Sequence, residues 1–270
     1  MNYNYYIIII INVIVIYLFS LQYFNAPMSY KLNNIYERTK IVKNTTRCPH
    51  IIHQIVPNMN DVPSGLYHVI KHNIRFNPEF EYRIYDYKSI EEILKNEFDE
   101  NVLSAYNSSD SYKLKSDYIK LAFIYRYGGI FIDIKNICVY RLINLLRINN
   151  VFYVHNLTNN TIDLSLLASH SNNPGIKNAF NEASERLLSK YYGNNYDEIT
   201  GGKLLGDNLF YLGYLAKYSL LTIDNDNIVK LRNENKDILK IYSSFDNENI
   251  SNGLLPDITV DWNEGILYNI

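Results

Sequence analysis

The chain has 270 residues, with 26 Lys and Arg set against 28 Asp and Glu, for a formal net charge of -2. Its basic residues are dispersed, so no positive field exists for a nucleic-acid backbone and nucleic acid is excluded as a partner. The length suits one sizeable domain with an appendage, and no internal repeat suggests a solenoid.

The first predicted element is the apolar run from Tyr5 to Phe24, which contains no charged residue. About 20 such residues cross a bilayer. A basic leader and a small-residue cleavage site are both missing, so the run reads as an uncleaved single-pass anchor over residues 1–24. Residues 25–48 are polar and aperiodic and read as a stem, leaving 49–270 for a globular domain. Lys31, Arg38, Lys40 and Lys43 follow the span, which by the positive-inside rule places the body in the cytoplasm. Asn-x-Ser/Thr sequons begin at Asn44, Asn107, Asn156, Asn159 and Asn249, as a luminal body would show. Orientation is left open, as is pairing of the two cysteines, Cys48 and Cys138.

Within the domain, Ile51 to Val56 is a short apolar run closed by Pro57 and predicts a buried first strand. Ser64 is expected to cap a helix reaching Phe76, and Glu81 to Asp86 alternates as a second strand. Ser89 with Glu92 fits a capping box for the next helix. A helix over Ser111 to Tyr127 is followed by a strand over Ile130 to Ile134. Further strands are expected at Val151 to Val154 and Ser165 to Ser169, then helices at Ile176 to Tyr191 and Gly201 to Leu215. Alternating strands and helices predict an α/β fold with a mostly parallel central sheet.

Lys115 to Lys135 carries the chemistry. Asp117 and Lys120 stand three apart on a helix, hence on one face, as an ordinary ion pair would also do. Gly128 and Gly129 then stop the helix and turn the chain into a strand that ends at Asp133. Ligands of open α/β sheets bind at the carboxyl ends of strands, so Asp133 stands at a candidate site. Lys135, two residues on, points to the same side in an extended strand.

His50 and His53 fall on opposite faces of a strand and lack further ligands at zinc spacing. Gly201-Gly202-Lys203 lacks the remaining residues of a phosphate-binding P-loop, and no nucleophile elbow occurs. Trp262 either stacks on a sugar or closes the core.

The run Ser116-Asp117, Lys120, Tyr127-Gly128-Gly129-Ile130-Phe131-Ile132-Asp133-Ile134-Lys135 resembles the Asp-x-Asp signature of glycosyltransferase family 32, which includes the fungal Golgi α-1,6-mannosyltransferases. His50 to Val56, Asn77-Pro78 to Asp86 and Ile199 to Leu205 resemble other family segments in the same order, covering about half the chain. Lys120 stands where the family has Arg, and Lys135 where it has the second Asp.

The resemblance implies a GT-A-like nucleotide-sugar fold. It also implies transfer of a hexose, with anomeric retention, from a nucleoside-diphosphate sugar to a hydroxyl of a glycan or glycoconjugate. Asp133 and Asp117 would be catalytic, with Asp133 also holding Mn²⁺ or Mg²⁺. Lys120, Lys135, His53, Gln54, Tyr127, Gly128, Gly129, Thr200 and Gly201 would bind substrate. Lys135 places a tethered cation where a carboxylate would hold the metal, and so could itself neutralise diphosphate. The alternative is a catalytically silent carbohydrate-binding or structural membrane protein of the same fold. The implied location is a Golgi- or ER-lumen-like compartment, or a virion or host membrane.

Overall fold

The computed structural model describes residues 11, 14, 29–40, 47–134, 136–148, 152–156, 161–191, 193, 195–211, 219–223, 228–233, 236–242, 258–261 and 266–269. Of the expected anchor only Ile11 and Ile14 are described, both helical and about half exposed; the rest of that run, like Lys135 and Trp262, lies outside the described residues. Among the described residues no helix is long and apolar enough to cross a membrane.

The elements in chain order are β1 (Ser29–Tyr30), β2 (Ile35–Tyr36), β3 (Ile51–Ile55), β4 (Val62–Pro63), α1 (Ser64–Phe76), β5 (Glu81–Tyr85), α2 (Tyr87–Glu97), α3 (Glu100–Asn107) and α4 (Tyr112–Tyr127). They continue as β6 (Gly129–Ile132), β7 (Asn136–Cys138), α5 (Leu142–Ile148), β8 (Phe152–Asn156), β9 (Thr161–Ser169), α6 (Pro174–Leu188), α7 (Tyr196–Ile199) and α8 (Gly202–Tyr211). The last are β10 (Ser219–Ile223), β11 (Ile228–Asn233), β12 (Lys236–Tyr242), β13 (Ile258–Asp261) and β14 (Ile266–Asn269).

Among the described residues ten strands form the central sheet, in the order β2-β5-β3-β6-β9-β8-β10-β11-β12-β7. The expectation of a mostly parallel sheet is corrected here. Parallel pairing is confined to β5-β3-β6 and one contact between β8 and β10, and the other pairs are antiparallel. The reason lies in the connections: a helix joins β3 to β5 and others join β5 to β6, giving parallel crossovers, whereas β8 reaches β9 by a short link, which permits only an antiparallel pair.

Because side chains alternate along a strand, the sheet feeds two cores. Ile52, Tyr82, Ile84, Ile130 and Ile132 point towards α1 and α5, with both cysteines in the same core. Tyr85, Phe131 and Leu167 point towards α2, α3, α4, α6 and α8. Both thiols are buried, and Cys48 donates to the Gly129 and Ser169 carbonyls at 3.5 and 3.3 Å. Within the stretch read as a stem, β1 pairs with β4, β2 pairs with β5, and Leu32 is buried in the first of these cores.

Two predicted caps are corrected. Pro63, not Ser64, occupies the N-cap of α1, without a side-chain bond. The box at α2 is Asp86 with Ser89: Ser89 N–H donates to Asp86 Oδ1 and Asp86 N–H donates to Ser89 Oγ, both at 2.9 Å. A carboxylate directly preceding the first turn outcompetes a box placed three residues later.

Candidate active site

Helix α4 is buried on every side from Asp117 to Ile124, the pattern of a helix enclosed by its own domain. Asp117 and Lys120 are therefore taken into the interior together, at 3% and 5% exposure. Lys120 Nζ donates to Asp117 Oδ1 at 3.2 Å, and Lys113 Nζ donates to Asp117 Oδ2 at 3.1 Å.

Gly128 ends the helix with φ 65° and Gly129 opens β6 with φ 102°. A side chain at Gly129 would lie 2.6 Å from the Ile51 carbonyl, so only glycine lets β6 enter beside β3. Strand β6 then delivers Asp133, whose Oδ2 lies 3.8 Å from Lys120 Nζ. Its side chain is 35% exposed, which leaves it accessible to a ligand.

Burial alone would lower the Lys120 pKa, but the attraction of Asp117, Asp133 and Asp163 outweighs it and the net shift is upward. The ammonium is thus held charged amid three carboxylates. Two clefts meet at Lys120 and Asp133. One, of about 200 Å³, is polar and is also lined by Lys113, Asp117, Asp163, Ser165, Asp197 and Gly202. The other, of about 130 Å³, is lined by Val56, Pro57, Tyr87, Ser116, Phe131 and Ile134.

The structure thus brings together Asp117, Lys120 and Asp133 of the predicted residues. Gln54 lies behind them: its Nε2 donates to the Asp133 carbonyl at 3.2 Å. His53, Tyr127, Gly128 and Gly129 are grouped instead around the turn from α4 to β6. His53 is fully buried, with Nε2 2.8 Å from the Gly128 carbonyl oxygen and Nδ1 2.9 Å from the Tyr85 hydroxyl. Burial, with a smaller push from Arg83 and a partial offset from the Gly128 bond, lowers its pKa to about 3. The ring is therefore neutral and packed between Tyr85 and Tyr127. Thr200 is buried before α8, and Gly202 rather than Gly201 lines the cleft.

Lys113, Asp163, Ser165 and Asp197 were not singled out by the sequence reading. Lys113 was detectable, standing four residues before Asp117 on the same helix face. Asp163 was also detectable, since Thr161, Asp163 and Ser165 alternate with Ile162, Leu164 and Leu166 as a strand one face of which is polar. Asp197 carries no comparable signal.

Among the described residues, four carboxylates and two ammonium groups line the polar cleft. A diphosphate entering it would add to an existing negative excess, and a hard divalent cation on carboxylate oxygens would relieve it. No group of three His, Cys, Asp or Glu among the described residues is arranged to hold a metal. A divalent cation in this cleft would have to take one or two of these carboxylates and complete its shell with phosphate and water.

Comparison with known proteins bears on the same segment. Residues 52–153 match the family model of a glycosyltransferase sugar-binding region containing a DXD motif. The match includes Gln54, Asp117, Lys120 and Asp133 and ends before Asp163. An uncharacterised glycosyltransferase of Acanthamoeba polyphaga mimivirus is 27% identical over 165 residues, which are 60% of this chain and 64% of that protein. The chain thus spans less than two thirds of the length of the curated relative it matches. The solved structure of the PaToxG glycosyltransferase superposes with a TM-score of 0.50 at 16% identity, covering 61% of this chain and 70% of that one, which is a likeness of fold. Together the family match and the relative support a glycosyltransferase in general terms.

Proposed function

We propose that the chain is a retaining hexosyltransferase of the family 32 type, using a nucleoside-diphosphate sugar as donor and a hydroxyl of a glycan or glycoconjugate as acceptor. The observation that carries this reading is the meeting of two clefts at Lys120 and Asp133, one polar and one lined by Tyr87, Pro57 and Val56. A nucleotide sugar has the same two-part chemistry. Its nucleoside fits the apolar cleft and its diphosphate and sugar fit the polar one.

In the transfer, the bond from the anomeric carbon to the phosphate oxygen breaks and the diphosphate leaves with the electron pair. The acceptor hydroxyl oxygen bonds to that carbon from the same face, and its proton passes to the departing phosphate. Lys120, already desolvated and fixed by Asp117, stabilises the charge that develops on the leaving group. Asp117 accepts a hydrogen bond from a donor-sugar hydroxyl, and Asp133 fixes the donor beside Lys120. Mn²⁺ or Mg²⁺, held by Asp133 and Asp163, would supply further charge neutralisation for the diphosphate. Lys135, two residues past Asp133, is assigned to the same diphosphate. The apolar run over residues 5–24 is read as the anchor that holds the enzyme at a membrane carrying its acceptors.

The test is product analysis. Incubation with UDP- and GDP-hexoses, Mn²⁺ and a panel of glycan acceptors is expected to release nucleoside diphosphate and yield a product with the donor's anomeric configuration by NMR. Inverted configuration would refute retention. Tight acceptor binding without diphosphate release would favour the silent carbohydrate-binding alternative.

A further inference from the structure

Asp133 directly follows β6, and nothing about a strand end fixes the next side chain by itself. The turn that follows is nevertheless tied on three sides. Asn136 N–H donates to the Asp133 carbonyl at 3.0 Å, closing the turn, and Asp133 N–H donates to the Ser165 carbonyl at 2.8 Å. Gln54 Nε2 donates to the same Asp133 carbonyl from β3, and Asn136 Nδ2 donates to the Ser165 carbonyl of β9 at 2.8 Å. From α1, Asn73 Nδ2 donates to the Asn136 carbonyl at 2.8 Å while Asn73 Oδ1 accepts from Cys138 N–H at 2.9 Å.

Gln54, Asn73 and Asn136 are all fully buried. Gln54 is itself set by the Tyr82 hydroxyl, which donates to its Oε1 at 2.9 Å. Asn136 Oδ1 is buried without a hydrogen-bond partner, which costs stability. Apolar residues would fill these interior places without that cost, and strands do not need buried amides to pair. What these amides share is the Asp133–Asn136 turn. A chain of buried hydrogen bonds of this kind favours one geometry over its neighbours.

We propose that Gln54, Asn73 and Asn136 form a positioning frame that fixes Asp133 against Lys120 for sugar transfer. The inference rests on the proposed transferase reading for its catalytic consequence, but the frame itself is testable without it. Gln54 thereby acts through the Asp133 backbone rather than on the substrate.

The decisive variant is Gln54→Leu combined with Tyr82→Phe. Replacing both buried partners by apolar groups of similar shape is nearly neutral for stability, so the protein should keep its melting midpoint within a few degrees, on the order expected for ~1 kcal/mol. Amide hydrogen exchange at Asp133 and Asn136 should rise about tenfold or more, because the frame has lost its β3 side. Donor kcat should fall about tenfold or more with KM changed much less, as for a misplaced catalytic group. Tyr82→Phe alone, which spares the bond to Asp133, should lie between wild type and the pair.

Wild-type exchange and kcat in the folded double variant would overturn the proposal. So would failure of that variant to fold, since the frame would then serve the fold as a whole. If wild type turns over no donor, the transferase reading fails, and the exchange measurement alone decides whether the frame holds the turn.

Discussion

The two faces of the sheet treat polarity differently. On the face towards α4 the polar cleft gathers charge: Asp117 and Lys120 are buried as a pair, and Asp133 and Asp163 attract the same ammonium, while neutral His53 is packed apart from them at the turn from α4 to β6. On the face towards α1 they are mainly neutral amides, Asn73, Asn77 and Asn136, bonded to backbone. Glu79, paired with Arg141 and Lys40, is charged on that side. Charges gather where the strand ends open into a cleft and a ligand can meet them, while neutral groups hold the backbone that presents them. The difference separates two jobs, acting on a ligand and fixing geometry, and each prediction tests one side of it.

The largest effect is expected at Lys120. Lys120→Met leaves Asp117 buried beside only Lys113, and removing one partner of a buried pair typically costs about 3–5 kcal/mol. The melting midpoint should drop by roughly 10 °C, with transfer lost. A variant as stable as wild type would show that the pair is not buried as described.

Asp133→Asn comes next and should separate function from stability. Because Asp133 is about one third exposed, its loss should leave the melting midpoint close to wild type. Transfer should fall about 10²-fold or more, the usual cost of one well-placed electrostatic contact. Comparable loss of stability and activity would move Asp133 from the acting side of the comparison to the holding side.

Near neutral pH the smallest effect concerns His53, a neutral group packed into the fold. Its native pKa of about 3 lies below the ordinary 6.5, so between those values the unfolded chain takes up a proton that the native chain does not. Stability from this group is therefore intact above pH 6.5 and falls by about 1.4 kcal/mol per pH unit as the pH drops towards 3. By NMR the His53 ring should stay neutral at pH 5. Titration near 6.5 would mean that the ring is solvated.

How far the sequence foretold this arrangement depended on how local each signal was. The α4-Gly-Gly-β6 unit was legible because a buried helix, two glycines and an apolar strand follow one another without a break from Tyr112 to Ile132. Asp117, Lys120 and Asp133 followed from that unit. His53, Tyr127 and Thr200 were grouped with the site by motif resemblance, yet their places depend on which elements pack together, and packing put His53 in a knot with Tyr85. Asp163 belongs to a strand whose register against β6 no local pattern specifies. The antiparallel half of the sheet escaped for the same reason: strand direction there is set by short links and pairing partners, not by the composition of each strand. Residues 29–36 read as a stem because strands of two residues are too short to show alternation.

The most direct test of the central claim is donor-induced thermal stabilisation of the full chain in mild detergent, measured for UDP- and GDP-sugars with Mn²⁺ or with EDTA, on wild type and on Asp133→Asn. Saturating donor at about 100 times its Kd contributes roughly 2.7 kcal/mol, a rise of about 5 °C or more for a domain of this size. The account predicts such a rise for at least one donor in wild type, larger with Mn²⁺ than with EDTA, and its loss in Asp133→Asn. No rise with any donor under either condition, or an equal rise in Asp133→Asn, would contradict a nucleotide-sugar site at Lys120 and Asp133.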